Sequence, residues 1–307
     1  MYELGHLGLY KNIPKKSMFN STPNYERDSY TLLQYKSHLR NEFLIPLKAD
    51  GDGTGVATIR LQSLETQSIK ITGNGKFYTD SAGTTELGTE STIGTTLGSL
   101  YVKVPAGESC YLVCGKADKL SGLGSNSTNV IEDGANVPYI HYCAINYPLI
   151  NLITIRLISV LNSSFIGSID NVPNLIYLSV VDNLLTKFTG DIGKAVKCYF
   201  LITHINTNCT FTYDTKRNNW GSNYDTLWVS CLSMTSAMVD NLLIDLDASG
   251  AMPTGTKLIR LDGLCGAVTS ASEAARDSLV SKDFRIIVNT QGEYNANISN
   301  RWKSRNK

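Results

Sequence analysis

The sequence has no long run of apolar residues and almost no net charge. Its 28 Lys and Arg residues nearly balance its 27 Asp and Glu residues, which leaves a net charge of +1. This balance provides no overall field that would attract nucleic acid or an anionic membrane. The segment 1–16 also lacks the apolar stretch of a signal peptide or a membrane span. We therefore expect no nucleic-acid partner and no membrane insertion.

Residues that commonly perform catalysis or bind metal ions are few and scattered. The four histidines, His6, His38, His141 and His204, occur in no metal-binding motif. The seven cysteines are odd in number and irregularly spaced, which favours reduced, buried thiols over a disulfide framework. The segment 50–55 resembles half of a calcium loop or a phosphate loop, but a turn between two strands explains it. No nucleophile motif is present, so we expect no enzymatic activity, no cofactor and no metal ion.

The most informative pattern that is present lies at 175–183. Leu175, Leu178, Val180 and Asn183 follow the L-x-x-L-x-L-x-x-N pattern of a leucine-rich repeat, in which the apolar residues point into a stacked core. Weaker copies have their last inward apolar residues at Leu157, Val180, Leu201, Val229, Leu261 and Val288. The steps of 21–32 residues lie near the roughly 20–29 residues of such repeats. This spacing predicts an irregular leucine-rich-repeat-like α/β solenoid over 124–290.

A different pattern precedes the repeats, over 42–123. Short runs of apolar, β-branched and aromatic residues alternate there with Gly, Asp, Asn, Pro and Ser clusters. Strands that follow one another without helical segments are typical of an antiparallel sandwich or a small barrel. The segment 81–98 is predicted to be a long loop or an irregular hairpin. The predicted fold class is α+β, with an N-terminal arm, this small all-β domain and then the solenoid.

Helix signals appear only near the end of the chain. Thr235 is a predicted N-cap, and Ser270 with Glu273 forms a capping-box pattern before a second helix. A strand is predicted after each of the two helices. The segment 291–307 is predicted to be a basic C-terminal tail.

Residues 1–41 contain more aromatic side chains than a disordered spacer usually has. We interpret this segment as an extended arm whose rings become buried against a partner. The other interpretations are an arm that lies on its own domain and a flexible tail. The predicted docking residues are Tyr2, Tyr10, Phe19, Tyr25, Tyr30 and Tyr35.

The strands of a solenoid also place a row of side chains on an outward face. Aromatic rings beside hydroxyl groups and Arg side chains suit glycans or protein loops. The other interpretation is that the aromatic residues are partly buried packing at the rim. The candidate recognition face consists of Arg156, Tyr177, Ser179, Lys197, Trp228 and Arg260.

Several stretches resemble leucine-rich-repeat-containing, fibre-like virion proteins of bacteriophages that infect Bacteroidetes. These stretches are 59–62 with 69–73, 175–183, and the closing run of 235–246, 255–263 and 275–288. The resemblance implies a non-enzymatic virion structural protein, such as a head or tail fibre, a decoration protein or an adaptor subunit. Such a protein is assembled in the host cytoplasm, is oligomeric and docks on other virion proteins. The alternatives are a host-surface glycan or receptor-binding module and a Bacteroidetes leucine-rich surface adhesin.

Overall fold

The three-dimensional structure is a computed structural model. It describes residues 25–124, 137–158, 164–181, 187–198, 200–204, 209–217, 220, 226–231, 234–250, 257–263 and 265–289. The fold is mixed α+β, with most of the described elements in three β-sheets and few helices. Within these ranges no helix is long and apolar enough to cross a membrane.

The elements are numbered here in chain order. The helices are α1 (Tyr25–Leu39), α2 (Ser236–Ala248) and α3 (Glu273–Ser281). The strands are β1 (Phe43–Lys48), β2 (Ala57–Ser63), β3 (Gln67–Gly73), β4 (Lys76–Tyr78), β5 (Glu86–Gly88), β6 (Glu90–Ile93), β7 (Gly98–Lys103), β8 (Ser109–Cys114), β9 (Leu120–Leu123), β10 (Tyr139–Ile140), β11 (Cys143–Ile145), β12 (Thr154–Ile158), β13 (Phe165–Ser168), β14 (Tyr177–Val181), β15 (Lys187–Asp191), β16 (Phe200–His204), β17 (Thr210–Thr212), β18 (Thr226–Cys231), β19 (Leu258–Gly263) and β20 (Arg285–Val288).

The strands before residue 124 pair antiparallel and lie in two sheets. One sheet has the order β10-β1-β8-β3-β6, and β2, β7, β4 and β5 lie at one end of an 11-stranded sheet. The strands predicted from the sequence are confirmed, but the closed-barrel alternative is wrong for the described residues. The sheet does not close because β2 pairs with β7 on one side and with β9 on the other, and β9 leads into parallel strands.

The segment 81–98 is not a long loop, and only its first part belongs to an irregular hairpin, in which β5 pairs antiparallel with β4 with a shift in register. β5 pairs with β4 in the 11-stranded sheet, whereas β6 pairs with β3 in the five-stranded sheet. Ile93, which is 2% exposed, anchors β6 in the core. The glycines and threonines around these two short strands concealed them in the sequence.

After β10, which pairs antiparallel with β1, the strands pair in parallel, and the chain alternates between two sheets. β12, β14, β16, β18, β19 and β20 continue the 11-stranded sheet, while β11, β13, β15 and β17 form a four-stranded sheet. From β11 to β18 each turn of the chain therefore contributes one strand to each sheet. After β18, α2 and α3 take the place of the strands of the smaller sheet.

One row of apolar residues in register runs across the 11-stranded sheet, and its described side chains lie on the inner face. The register from β2 to β20 aligns Leu61, Leu123, Ile155, Leu178, Leu201, Leu227, Ile259 and Ile286. Those with described side chains are at most 2% exposed. Each such side chain contributes roughly 1.5–3 kcal/mol when fully buried. The core is therefore continuous between the antiparallel and the parallel part.

The register corrects one of the predicted repeat positions. Leu201 pairs with Leu178, whereas Val180 pairs with Thr203. The equivalent positions are thus 157, 180, 203, 229, 261 and 288, which lie 23, 23, 26, 32 and 27 residues apart. The apolar side chain of Leu201 fits the repeat pattern better than that of Thr203, but a β-branched threonine also suits a strand. Asn183, the predicted end of the best-matching repeat, lies outside the described residues.

Aspartate side chains connect successive turns where the strands of the four-stranded sheet end. Asp170 Oδ1 accepts a hydrogen bond from the backbone N–H of Asp191 at 3.3 Å. Asp191 Oδ1 in turn accepts from the N–H groups of Gly193 (2.9 Å) and Asp214 (3.1 Å). Asp191 is 4% exposed, and its second oxygen is buried without a hydrogen-bond partner. These bonds satisfy backbone donors between turns, where no strand pairing is available.

Helix α1 differs from the extended arm that we expected over 1–41. Tyr30, Gln34 and Ser37 lie on one side of the helix, and their side chains are 8%, 3% and 0% exposed. Gln34 and Ser37 are polar, so the buried side of α1 carries no apolar periodicity that would reveal a helix in the sequence. Leu32 and Leu39, by contrast, are 53% and 59% exposed.

The two helices near the end of the chain are confirmed, but only one of the predicted caps forms. Thr235 accepts a hydrogen bond from the N–H of Met238 and caps α2. At the second helix, a 3-10 turn over Ser270–Ser272 comes first, and Thr269 caps it by accepting from the N–H of Ala271. The helix α3 begins only after this turn, so the predicted capping box starts two residues too early.

Candidate functional site

The candidate site is the outer face of the 11-stranded sheet, which consists of the residues that alternate with the buried inner row. Side chains of a strand point alternately to the two sides of a sheet, so residues in register share a face. One outer row runs Arg156, Ser179, Ile202, Trp228, Arg260 and Ile287. Tyr177 lies two residues before Ser179 on β14 and points to the same side. Five of the six predicted recognition residues thus lie on the outer face.

Two arginines of the outer face cover aromatic rings on neighbouring strands. The Cζ atom of Arg156 lies 5.9 Å from the centre of the Tyr177 ring. The Cζ atom of Arg260 lies 4.5 Å from the centre of the Trp228 ring. All four side chains are half-buried. Cation–π contacts of this kind contribute roughly 0.5–2 kcal/mol and restrict the long arginine side chains.

Two of the predicted recognition residues have different roles. Ser179 is 3% exposed, so its hydroxyl group is covered by neighbouring side chains. Lys197 lies in the turn before β16 and is exposed; its Nζ donates to Asn174 Oδ1 at 2.7 Å. Asn174 itself donates to the carbonyl of Ile150 at 2.7 Å. Lys197 therefore belongs to a set of bonds between turns at the edge of the sheet and is not part of the outer face.

The outer face extends beyond the residues that we predicted, into the antiparallel strands. Lys103 on β7 lies over the ring of Tyr78 on β4, with its Nζ 5.0 Å from the ring centre. Arg60 on β2 is next to Gly124, whose N–H donates to the carbonyl of Arg60 at 2.7 Å. The alternation of polar and apolar residues around Arg60 was visible in the sequence. Its connection to Arg156 was not, because that requires the pairing of β2 with β9 and of β9 with β12.

Basic groups outnumber acidic groups among the described side chains of the outer face. Lys76, on the same side of β4 as Tyr78, is paired with Glu86 at 3.2 Å. The other described charged side chains are all basic: Arg60, Lys103, Arg156, Arg260 and Arg285. Asp262 occupies the next outward register position on β19. The outer face therefore combines positive charge with aromatic rings.

The predicted docking residues of the arm are only partly within the described ranges. Tyr2, Tyr10 and Phe19 lie outside them, and the side chain of Tyr25 is also not described. Tyr30 is buried in its own chain, where its ring centre lies 5.7 Å from that of Tyr111 and 5.1 Å from that of His141. Tyr30 is thus not available to a partner. Tyr35 is half-buried on α1.

The described side chains contain no group of three His, Cys, Asp or Glu residues that could hold a metal ion. Six cysteines with described side chains are buried, which agrees with the prediction of buried thiols: Cys110, Cys114, Cys143, Cys198, Cys209 and Cys265. Burial raises the pKa of the Cys110 and Cys114 thiols to about 12. These thiols are therefore protonated at neutral pH and are poor nucleophiles.

Comparison with known proteins gives no relative of this chain. No family model, no curated protein and no solved structure matches it. Any functional conclusion therefore depends on the sequence and on the geometry of the described residues.

Proposed function

We propose that this protein is a non-enzymatic structural protein of a bacteriophage particle that provides a rigid binding surface. In this proposal the parallel strands and their inner apolar row form a leucine-rich-repeat-like solenoid. The buried side chains of Leu175, Leu178 and Val180 support that assignment, as do the steps of 23–32 residues between equivalent strand positions. The place in the virion is supported by the sequence resemblance.

The observation that carries the binding role is the outer face itself. Its arginines are held over aromatic rings on a sheet whose opposite side is a continuous core. Such a surface changes little in shape on binding, because its backbone is fixed by pairing on both sides. A rigid row of ring and guanidinium groups is the composition that protein surfaces use for recognition.

The buried charged groups support a structural role, since they are used for packing. Asp240 on α2 accepts hydrogen bonds from the N–H and the hydroxyl of Thr269, at 3.0 and 2.6 Å, and so holds α2 to the segment before α3. Arg217 donates to the carbonyls of Val196 and Cys198 and covers the ring of Trp220. Side chains bound in this way connect neighbouring segments of the fold, and removing one partner of a buried charged group is strongly destabilising.

We further propose that docking on the particle uses the exposed side of α1 together with residues 1–24. Leu32 and Leu39 are seven positions apart and lie on one side of the helix, with Tyr35 between them. Two leucines that are more than half exposed on one helix face are suited to burial in a groove of another virion protein.

The experiment is to test whether the protein is part of purified particles. Mass spectrometry of gradient-purified virions should detect the chain at a constant copy number per particle. The double variant Leu32→Ser/Leu39→Ser should lower that copy number, whereas Leu64→Ser, which alters another leucine that is 53% exposed, should not. Absence of the wild-type chain from the particles would contradict the virion assignment and favour the cell-surface adhesin.

A second candidate function is a host-surface glycan or receptor-binding module. It is favoured by the two arginine–aromatic pairs of the outer face, which lie away from α1 along the chain and on different strands. The two functions are compatible, because one end of the chain can dock while the sheet binds. Particles that carry the protein but adsorb to host cells equally well with and without it would argue against this candidate.

A further inference from the structure

Three arginines of the outer face lie in one line across the sheet. Arg60 and Arg156 are both neighbours of Gly124, because Leu61 and Ile155 both pair with Leu123. They are therefore two strand spacings apart, or about 10 Å, with no side chain between them. Arg260 follows in the same row four strands after Arg156, at about 19 Å.

The stacking of these arginines determines which chemistry can approach them. The guanidinium of Arg156 covers one face of the Tyr177 ring, and that of Arg260 covers one face of the Trp228 ring. These two ring faces are therefore not open to a neutral sugar. The donors of a stacked guanidinium lie in its plane and stay directed past the edge of the ring. Planar donors that are held in place bind a carboxylate in a bidentate manner. The outer face thus favours a partner with carboxylate groups.

The distances between the three arginines fit an acidic polysaccharide better than an extended acidic peptide. In an extended peptide, successive side chains on one side are about 7 Å apart. The arginine line has intervals near multiples of about 10 Å, which a peptide strand with acidic side chains does not match. A linear polymer with an acidic group on every second sugar ring places its charges farther apart and at a constant interval.

We propose that the arginine line Arg60–Arg156–Arg260 binds an acidic polysaccharide through its carboxylate groups. This inference deepens the proposed binding role of the outer face and rests on it. The chain would lie across the strands, along the row, with the carboxylates on the guanidinium groups. The stacked rings hold Arg156 and Arg260 in position and reduce the side-chain entropy that is lost on binding.

The test is binding of the purified full-length chain to hyaluronan, which carries a carboxylate on every second sugar ring, with its methyl ester as the uncharged control. The wild type should bind the acid form. Esterification should weaken binding by about tenfold or more, because the loss of even one charge-assisted hydrogen bond has an effect of this size. Arg156→Gln and Arg260→Gln should each weaken binding to a similar extent. Arg40→Gln is the matched control, because Arg40 is 56% exposed at the end of α1 and pairs with Glu42.

Two further comparisons test the role of the planar donors and the class of the partner. Arg156→Lys retains the positive charge but not the planar donors, so its affinity should lie between that of Arg156→Gln and that of the wild type. This partial recovery would show that the loss in Arg156→Gln is not due to misfolding. The proposal would be overturned if the acid and the ester bind equally well, or if both Gln variants bind as tightly as the wild type. Tighter binding of poly-glutamate would also overturn it and would identify an acidic protein as the partner. Binding of hyaluronan by a chain that is absent from particles would overturn the virion assignment alone.

Discussion

The side-chain oxygen of Gln34 accepts a hydrogen bond from the backbone N–H of Ala144 at 3.2 Å. Ala144 lies in β11, the edge strand of the four-stranded sheet, and is 1% exposed. A buried N–H without a partner costs about 1–3 kcal/mol. The helix α1 therefore completes the sheet at this edge and belongs to the folded unit, although it lies within the segment that the sequence suggested to be an arm.

The first prediction follows from this contact and concerns truncation. A chain without residues 1–24 keeps α1 and its hydrogen bond to Ala144, so its midpoint of unfolding in urea should be higher than that of a chain without residues 1–41. A chain without residues 1–41 loses the acceptor for Ala144 and the cover that Tyr30 provides, so its midpoint should fall clearly. Equal midpoints for the two truncated chains would contradict the structural role of α1.

The second prediction concerns Asp191. Asp191→Ala leaves the N–H groups of Gly193 and Asp214 without their acceptor, which should lower the free energy of unfolding by about 1–3 kcal/mol. Asp191→Asn keeps the accepting oxygen and removes a buried charge, so it should cost less than the alanine variant. Urea unfolding of the three proteins at one pH gives the comparison. An alanine variant as stable as the wild type would mean that these bonds between turns contribute nothing.

The third prediction concerns pH. The ring of His38 stacks on that of Tyr147 with 3.9 Å between the ring centres, and burial lowers the pKa of His38 from 6.5. The unfolded chain therefore binds a proton at this site at a higher pH than the folded chain does. The stability that neutral His38 contributes to the folded state is fully present above about pH 6.5. It is lost as the pH falls toward the lower pKa that His38 has in the folded state.

The measurement is the free energy of unfolding between about pH 7.5 and about pH 5.5. The wild type should lose stability over this range, and His38→Gln should lose less. Parallel curves for the two proteins would show that another group causes the decrease.

The fourth prediction concerns the thiols. Because Cys110 and Cys114 are buried with a raised pKa, an alkylating reagent should label them slowly in the native protein at neutral pH. In denaturant without reductant, all seven cysteines of the sequence should be labelled. A sample reduced before labelling serves as the control. Two or more pairs that become reactive only after reduction would contradict the prediction of free thiols.

Alternation of apolar and polar residues predicts some of the strands, and the failures of this pattern have physical causes. The strands β2 and β7 were found because Ile59, Leu61 and Val102 alternate with polar residues. The helix α1 was missed because it buries Gln34 and Ser37 and exposes two leucines, which is the reverse of the usual helix pattern.

The candidate site was predicted in part for a similar reason. Tyr177, Trp228 and the arginines beside them were identified because outward positions follow from the inner repeat positions. Arg60 was missed, since it is 96 positions before Arg156 and only the pairing of β9 with both β2 and β12 brings the two together. No local pattern contains information about such pairing.

The parallel strands from β12 to β18 make the length of this protein adjustable in fixed increments. Within the 11-stranded sheet each of these strands pairs only with the strand before it and the strand after it in the stack. One turn, such as the 23 residues between positions 180 and 203, could therefore be duplicated or lost while β9 at one end and β19 at the other keep their pairing. Each duplication would move Arg260 about 4.8 Å farther from Arg60. Related chains with different numbers of turns would then hold their arginines at different distances and would select polymers with different intervals between charges.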